Sequence, residues 1–129
     1  MAKAALAELL VPDAAEWRAW LEEHHDDVPG VWLVLRKKGD TVTELSYDEA
    51  VEEAVCFGWI DGQGRRREEG GTFIRMTPRG PRSNWSLSNV ERVQRLAAEG
   101  RMRPAGLAAV DVAKGNGRWD AATALPDGS

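Results

Sequence analysis

One short apolar run constrains the fold of this chain most. Residues Val31–Leu35 are β-branched, aromatic or aliphatic without interruption, and a turn signal, Val28-Pro29-Gly30, comes directly before them. An unbroken run of this kind is typical of a strand that is buried on both faces, whereas a half-exposed strand alternates polar and apolar residues. The sequence therefore predicts a central strand over Val31–Lys37, around which the rest of the chain builds a sheet.

A hairpin is predicted to supply the other strands of this sheet. Gly70-Gly71 is a hairpin-turn signal, and the residues after it, Thr72–Thr77, alternate between apolar and polar side chains. We expect them to pair in antiparallel fashion with Arg65–Glu69. Asp61-Gly62 and Gly64 are expected to form a turn before that strand, and Trp59 is expected in a turn just ahead of them. Pro78 and Pro81 end the pair, because proline has no backbone N–H to donate to a neighbouring strand.

Four helices are predicted, each from a capping pair three residues apart or from a proline. The signals are Asp13 with Glu16, Ser46 with Glu49, Ser88 with Glu91, and Pro104. The whole pattern predicts one α+β domain over residues 1–129, with a small, mainly antiparallel sheet of about three strands packed by about four helices. Residues 1–11 and 120–129 have little periodicity and are expected to be mobile.

The charge is distributed unevenly along the chain. Residues 1–60 carry 13 acidic and 5 basic side chains, whereas residues 61–103 carry 5 acidic and 10 basic ones. A basic middle between acidic flanks attracts a small anion locally, while the chain as a whole repels a polyanion. We therefore expect a small anionic ligand or an acidic peptide as partner, rather than nucleic acid.

The start of the chain and its single cysteine bear on location. The apolar run that begins the chain is short and is interrupted by Glu8, which is not typical of a signal peptide. No stretch approaches the roughly 20 apolar residues that span a bilayer. Cys56 has no partner for an internal disulfide. A cytoplasmic location without membrane insertion is the prediction, and the oligomeric state stays open.

A ligand site is predicted where aromatic and arginine residues coincide between residues 56 and 89. Arginine forks and aromatic faces side by side suit a planar or anionic ligand, and the start of a helix adds free N–H groups. The predicted ligand-binding residues are Trp59, Asp61, Arg75, Arg79, Arg82, Trp85, Ser86 and Asn89. The alternative is a loop that is simply pinned by arginine–carbonyl and tryptophan contacts. On the first interpretation, Arg79→Ala leaves the thermal stability almost unchanged.

Other chemistries are weaker hypotheses. No catalytic residue, cofactor or metal ligand is predicted, and Cys56 is expected to be a buried structural residue. His24-His25-Asp26-Asp27 is interpreted as a polar helix end. An enzyme that uses Asp61 and the arginines on a phosphorylated or carboxylated substrate is one alternative. A nucleic-acid-binding module through residues 65–82 is another, although Glu68 and Glu69 partly neutralise the arginines before them.

Two motif blocks resemble a known family. They are Ser46-Tyr47-Asp48-Glu49-Ala50 with Cys56-Phe57-Gly58-Trp59-Ile60-Asp61-Gly62, and Thr77-Pro78-Arg79-Gly80-Pro81-Arg82-Ser83-Asn84-Trp85-Ser86 with Asn89. Both resemble the YdeI/OmpD-associated (bacteriocin-protection, OmdA-like) bacterial family, and the similarity runs from about Trp17 to Trp119. The resemblance implies a link to bacteriocin protection and envelope stress response, but no reaction. The family has been described as periplasmic, which differs from the location predicted above.

Overall fold

The computed structural model describes residues 6–124, which form four strands and five helices. In chain order the elements are β1 (Ala7–Leu9), α1 (Ala14–His24), β2 (Val31–Leu35), α2 (Tyr47–Cys56), β3 (Trp59–Arg66), β4 (Thr72–Pro78), α3 (Leu87–Ala98), α4 (Pro104–Gly115) and α5 (Arg118–Thr123). None of these helices is long and apolar enough to cross a membrane. The mobility expected of residues 1–11 and 120–129 stays a prediction, and residues 1–5 and 125–129 of these ranges lie outside the described part of the chain.

The strands form one mixed sheet in the order β1-β2-β4-β3. The pairs β2–β4 and β4–β3 are antiparallel, as predicted, and β1 adds a parallel pair at the edge of β2. The α+β single-domain fold is thus confirmed, with β1 and α5 added to the predicted elements. Sequence reasoning missed β1 because it is only three residues long.

The predicted central strand is confirmed, because β2 has neighbours on both sides and is almost entirely buried. Val31 and Leu33 belong to the main core, together with Trp17 and Leu21 of α1. Val34 is also buried but lies outside that core cluster, as the alternation of side chains along a strand requires. Both faces of β2 are therefore covered, which explains its unbroken apolar sequence.

The β3 strand begins six residues earlier than predicted. The register slips between Asp61 and Gly64, so three residues of β3 span the same length as two residues of β4. Such a bulge accommodates one extra residue and bends the strand. The Asp61-Gly62-Gln63-Gly64 segment, interpreted from sequence as a turn, is this bulge, and Trp59 lies in the strand rather than in a turn before it.

Helix starts follow the predictions with one correction. Asp13 caps α1, and Ser46 and Glu49 form a reciprocal capping box on α2. The cap of α3, however, is Ser86, whose hydroxyl accepts a hydrogen bond from the backbone N–H of Asn89. Ser88, the predicted cap, lies inside the first turn of α3. Two serines two residues apart made the boundary ambiguous in the sequence.

Candidate functional site

A cavity of about 520 Å³ opens where the end of α2, the start of β3, the loop after β4 and helix α4 meet. Its wall is mostly apolar, with three residues that carry ionisable side chains: His25, Asp26 and Arg79. The other lining residues are Phe57, Gly58, Trp59, Pro78, Gly80, Pro81, Trp85, Ala105, Ala108, Ala109, Val112 and Ala113. A concave apolar wall with few polar groups is typical of small-molecule sites.

Arg79 organises the loop that forms one side of this cavity. Its Nη1 atom donates hydrogen bonds to the hydroxyl of Ser83, at 2.6 Å, and to the carbonyl oxygen of Asn84, at 2.9 Å. The guanidinium lies 4.0 Å from the ring centroid of Trp85. The loop is therefore pinned by arginine–carbonyl and tryptophan contacts, which was the alternative interpretation of the sequence.

The other terminal nitrogen of Arg79 is left without a partner. Nη2 is buried and donates to no acceptor among residues 6–124. Burial lowers the pKa of Arg79 to about 10, and attraction to Asp61 opposes that shift. A pKa of about 10 still keeps the guanidinium charged at neutral pH. A buried donor of a cation is costly to leave unpaired, and an anion or another acceptor at Nη2 would remove that cost.

Tryptophans form two parts of the cavity wall. Trp59 is only 1% exposed, and its indole N–H donates to the carbonyl oxygen of His25 at 3.1 Å, so that group is not free for a ligand. Trp85 is half-buried and packs on Trp119 with ring centroids 5.4 Å apart. Trp59 therefore supplies a rigid apolar surface, and Trp85 a surface shared between the loop and α5.

His25 was not among the predicted site residues. Its Nδ1 lies 2.8 Å from the carbonyl oxygen of Leu21. A carbonyl oxygen only accepts hydrogen bonds, so Nδ1 carries the proton and Nε2 is left as an acceptor in the neutral ring. No local pattern marks His25 as a lining residue, because it lies about 50 residues from the arginine loop and meets it only through the fold.

Helix α4 lines the cavity with small side chains. Ala105, Ala108 and Ala109 face it, along with Val112. Gly58 has a φ of +76°, and a Cβ there would lie 2.8 Å from the carbonyl oxygen of Ala105. This close approach holds α4 against the end of α2. The run of small residues after Pro104 was the available sequence signal for this wall, but it predicted only a helix.

Two residues of the α4–α5 region hold the arginine loop in place. The side-chain amide of Asn116 donates to the carbonyl oxygen of Pro81 at 2.7 Å, and Arg118 donates to the side-chain oxygen of Asn84 at 2.9 Å. The loop is thus held by hydrogen bonds from its own Arg79 and from Asn116 and Arg118 of the α4–α5 region. Opening this side of the cavity requires these bonds to break.

Of the eight predicted site residues, Trp59, Arg79 and Trp85 line the cavity and the other five do not. Asp61 accepts a hydrogen bond of 2.8 Å from the hydroxyl of Tyr47. Arg75 and Arg82 are exposed. Ser86 caps α3, and the side-chain oxygen of Asn89 accepts a hydrogen bond from Arg92.

Cys56 is fully buried, as predicted, beside a group of ion pairs. Glu53 accepts hydrogen bonds from Arg18, at 2.7 Å, and from Arg101, at 2.8 Å. Burial raises the pKa of the Cys56 thiol, and hydrogen bonding to Arg18 opposes that effect. A buried thiol with a raised pKa is a poor nucleophile. Among residues 6–124, no group of three or more histidine, cysteine or carboxylate side chains is arranged to hold a metal.

Arginines of the hairpin cover the sheet face opposite the main core. The guanidinium of Arg65 lies 4.3 Å from the ring centroid of Trp32 and 4.8 Å from that of Phe73. Arg65 also pairs with Glu8 of β1 at 3.3 Å. The guanidinium of Arg65 stacks on these aromatic rings, which leaves less aromatic surface for stacking nucleic-acid bases.

The fold and the cavity define a small single-domain α+β protein with an arginine-containing apolar pocket. Across residues 9–109 the chain matches the model of a family described as a domain of unknown function (DUF8412). The match covers most of the chain and includes both motif blocks, so the chain belongs to this family. Comparison with curated proteins and with solved structures gave no match. The family description names no activity, and the resemblance to the YdeI/OmpD-associated family stays a prediction.

Proposed function

We propose that this protein binds a small organic anion in the cavity and does so without catalysing a reaction. The observation that carries the proposal is Arg79, a half-buried cation in the cavity wall whose buried Nη2 has no acceptor among the described residues. An oxygen of an anionic ligand at this nitrogen would supply the missing hydrogen bond in a site of low polarity, where a charge-assisted hydrogen bond is strong.

The rest of the wall supports binding rather than chemistry. A reaction on the ligand needs a nucleophile or a general acid–base pair within hydrogen-bond reach of it. The Cys56 thiol is buried outside the lining residues, and Asp61 is engaged by Tyr47. His25 and Asp26 are the lining residues suited to proton transfer, and no cysteine, serine, threonine or lysine nucleophile of the described residues lines the cavity with them. An enzyme acting on a phosphorylated or carboxylated substrate through Asp61 is therefore the weaker hypothesis.

Nucleic-acid binding through residues 65–82 is the other alternative. Arg65 is already paired with Glu8 and stacked on Trp32, which weakens this hypothesis. Binding of an oligonucleotide with an affinity that falls steeply with salt would favour it. The stress-response and bacteriocin-protection roles, like a cytoplasmic location, depend on the sequence interpretation alone and stay predictions.

The proposal is tested by isothermal titration calorimetry of the full chain against three aromatic anions: hydrocinnamate, phenethyl phosphate and benzenesulfonate. At least one is expected to bind with one site per chain and a Kd on the order of 0.1–1 mM, the range for fragment-sized ligands. Ala108→Leu fills the cavity from α4 and should abolish that binding.

The matched control is Ala97→Leu, which adds the same side chain at an exposed position of α3 outside the cavity. It should bind like the wild-type protein. If none of the three anions binds, or if Ala108→Leu binds as well as Ala97→Leu, the cavity is not an organic-anion site.

A further inference from the structure

The charges around the cavity narrow the class of ligand. We infer that the preferred ligand is a monocarboxylate with a compact apolar body, of aryl or short alkyl type, and not a phosphate ester or a dicarboxylate. This inference rests on the proposed function, because it specifies the ligand of the same cavity.

The charges of the residues around the cavity favour a ligand with a single negative charge over a dianion. Arg79 is the only lining residue that is cationic irrespective of pH near neutrality, and Asp26 is an acidic residue in the same wall. Asp61 is close enough to Arg79 to oppose the lowering of its pKa. One cation with two neighbouring carboxylates carries a net charge of −1, which opposes a dianion more strongly than a monoanion.

The hydrogen-bonding capacity of Arg79 also favours a single carboxylate. Both N–H groups of Nη1 are taken, by Ser83 and by the carbonyl oxygen of Asn84. Nη2 is buried and has no acceptor among the described residues. The Nε and Nη2 edge of a guanidinium presents two parallel N–H groups, which match the two oxygens of one carboxylate.

The remaining wall of the cavity is apolar and suits a hydrocarbon body. Away from Arg79, Asp26 and His25, the lining side chains are aromatic rings, prolines, alanines and a valine. The indole N–H of Trp59 is bonded to the His25 carbonyl, so the indole N–H of Trp85 is the one side-chain donor that these described residues add to the cavity. Apolar surface of this kind stabilises a bound hydrocarbon body by about 25 cal/mol per Å² of area removed from water.

Access to the carboxylate position requires a local movement, because Nη2 is buried. Within the cavity wall, the loop of residues 79–85 is the segment suited to such a movement. Glycine at position 80 and the turn from Gly80 to Ser83 give the loop a place to bend, and no atom crowds the Cα of Gly80. The bonds from Asn116 and Arg118 then resist the shift.

The test compares three ligands with the same phenyl body and different heads, titrated calorimetrically into the full chain: hydrocinnamate, phenethyl phosphate and the neutral hydrocinnamyl alcohol. We expect hydrocinnamate to bind at least about tenfold more tightly than either of the others. Equal or tighter binding of phenethyl phosphate, lost in Ala108→Leu, would overturn the monocarboxylate inference while leaving an organic-anion site in place. Binding of the alcohol as tight as that of hydrocinnamate would remove the role of Arg79.

A second variant tests the charge argument directly. Asp26→Asn removes a carboxylate from the wall and should narrow the preference for hydrocinnamate over phenethyl phosphate by about threefold or more, because the dianion gains more from the change. Asp111→Asn, an exposed position of α4 outside the lining, is the control and should leave the ratio unchanged. An unchanged ratio in Asp26→Asn would mean that the charge balance does not set the ligand class.

Discussion

The Cα of Gly106 in α4 packs directly on the backbone carbonyl of Cys56 at the end of α2. A Cβ on Gly106 would overlap with that carbonyl oxygen, and it would lie 2.9 Å from the terminal methyl of Met102. The same carbonyl accepts a hydrogen bond of 2.9 Å from the backbone N–H of Arg103, directly before α4. This contact fixes the distance between α2 and α4, and thereby the width of the cavity between them.

Gly106→Ala is expected to destabilise the protein by about 1–3 kcal/mol, because the helices must separate or strain to admit the methyl group. The control is Gly115→Ala at the end of the same helix, where a Cβ meets no atom within 4 Å. That variant should be neutral or stabilising by up to about 1 kcal/mol. Urea denaturation measures both. Equal stabilities would mean that α2 and α4 do not pack as closely as described.

Arg79→Ala is expected to lower the free energy of unfolding by about 1–2 kcal/mol, since it removes two hydrogen bonds and the contact with Trp85. The contacts thus replace the expectation from sequence that this variant leaves stability nearly unchanged. Arg82→Ala, in the same loop but exposed, should change stability by less than about 0.5 kcal/mol. Thermal melts compare the two, and a smaller loss in Arg79→Ala than in Arg82→Ala would contradict the pinned loop.

Glu53→Gln is expected to destabilise the protein by about 1–3 kcal/mol, because it removes the carboxylate partner of the partly buried Arg18. Arg101, in contrast, keeps its ion pairs with Glu52 and Glu99. Glu53 is 8% exposed and bonded to Arg18 and Arg101. Glu91→Gln on α3 is exposed and makes no ion pair among the described residues, so it serves as control. Guanidinium denaturation of both variants is the measurement. A loss as small as that of the control would show that the ion pairs are not closed to water.

Cys56 is expected to resist thiol reagents in the folded protein and to react fully after denaturation. Its raised pKa also predicts a pH dependence. The thiol ionises more readily in the unfolded chain, so its contribution to stability is present below pH 9.0, its ordinary pKa, and is lost as pH rises above it. Stability measured at about pH 8 and pH 10 should fall less steeply in Cys56→Ala than in the wild-type protein. A steeper fall in the variant would contradict the raised pKa.

The sequence predictions are accurate where a structure is determined by residues close to one another in the sequence. The cap at Ser46 and the central strand Val31–Leu35 are local patterns, and both are confirmed. The bulge at Asp61 was wrongly interpreted as a turn, because glycine-rich segments serve both roles until a partner strand fixes the register. Arginine and tryptophan on one loop correctly marked Arg79 and Trp85 as near neighbours.

The rest of the cavity depends on contacts between distant segments. His25 at the end of α1 and Ala108 on α4 are brought to Arg79 only by the packing of the helices on the sheet. Their own sequence neighbourhoods predict a polar helix end and an ordinary helix. One sequence without its fold therefore locates the loop and its arginine but not the apolar wall that completes the cavity.

The most direct test of the account is a titration of hydrocinnamate followed by the indole N–H signals of the six tryptophans in a ¹H–¹⁵N correlation spectrum. The account predicts that the signal of Trp85 shifts with saturation, with a smaller change at Trp59, because both line the cavity. Trp32 lies on the other face of the sheet, against Phe73, and should not move. A shift confined to Trp32, or saturation without any change at Trp85, would contradict a ligand site in this cavity.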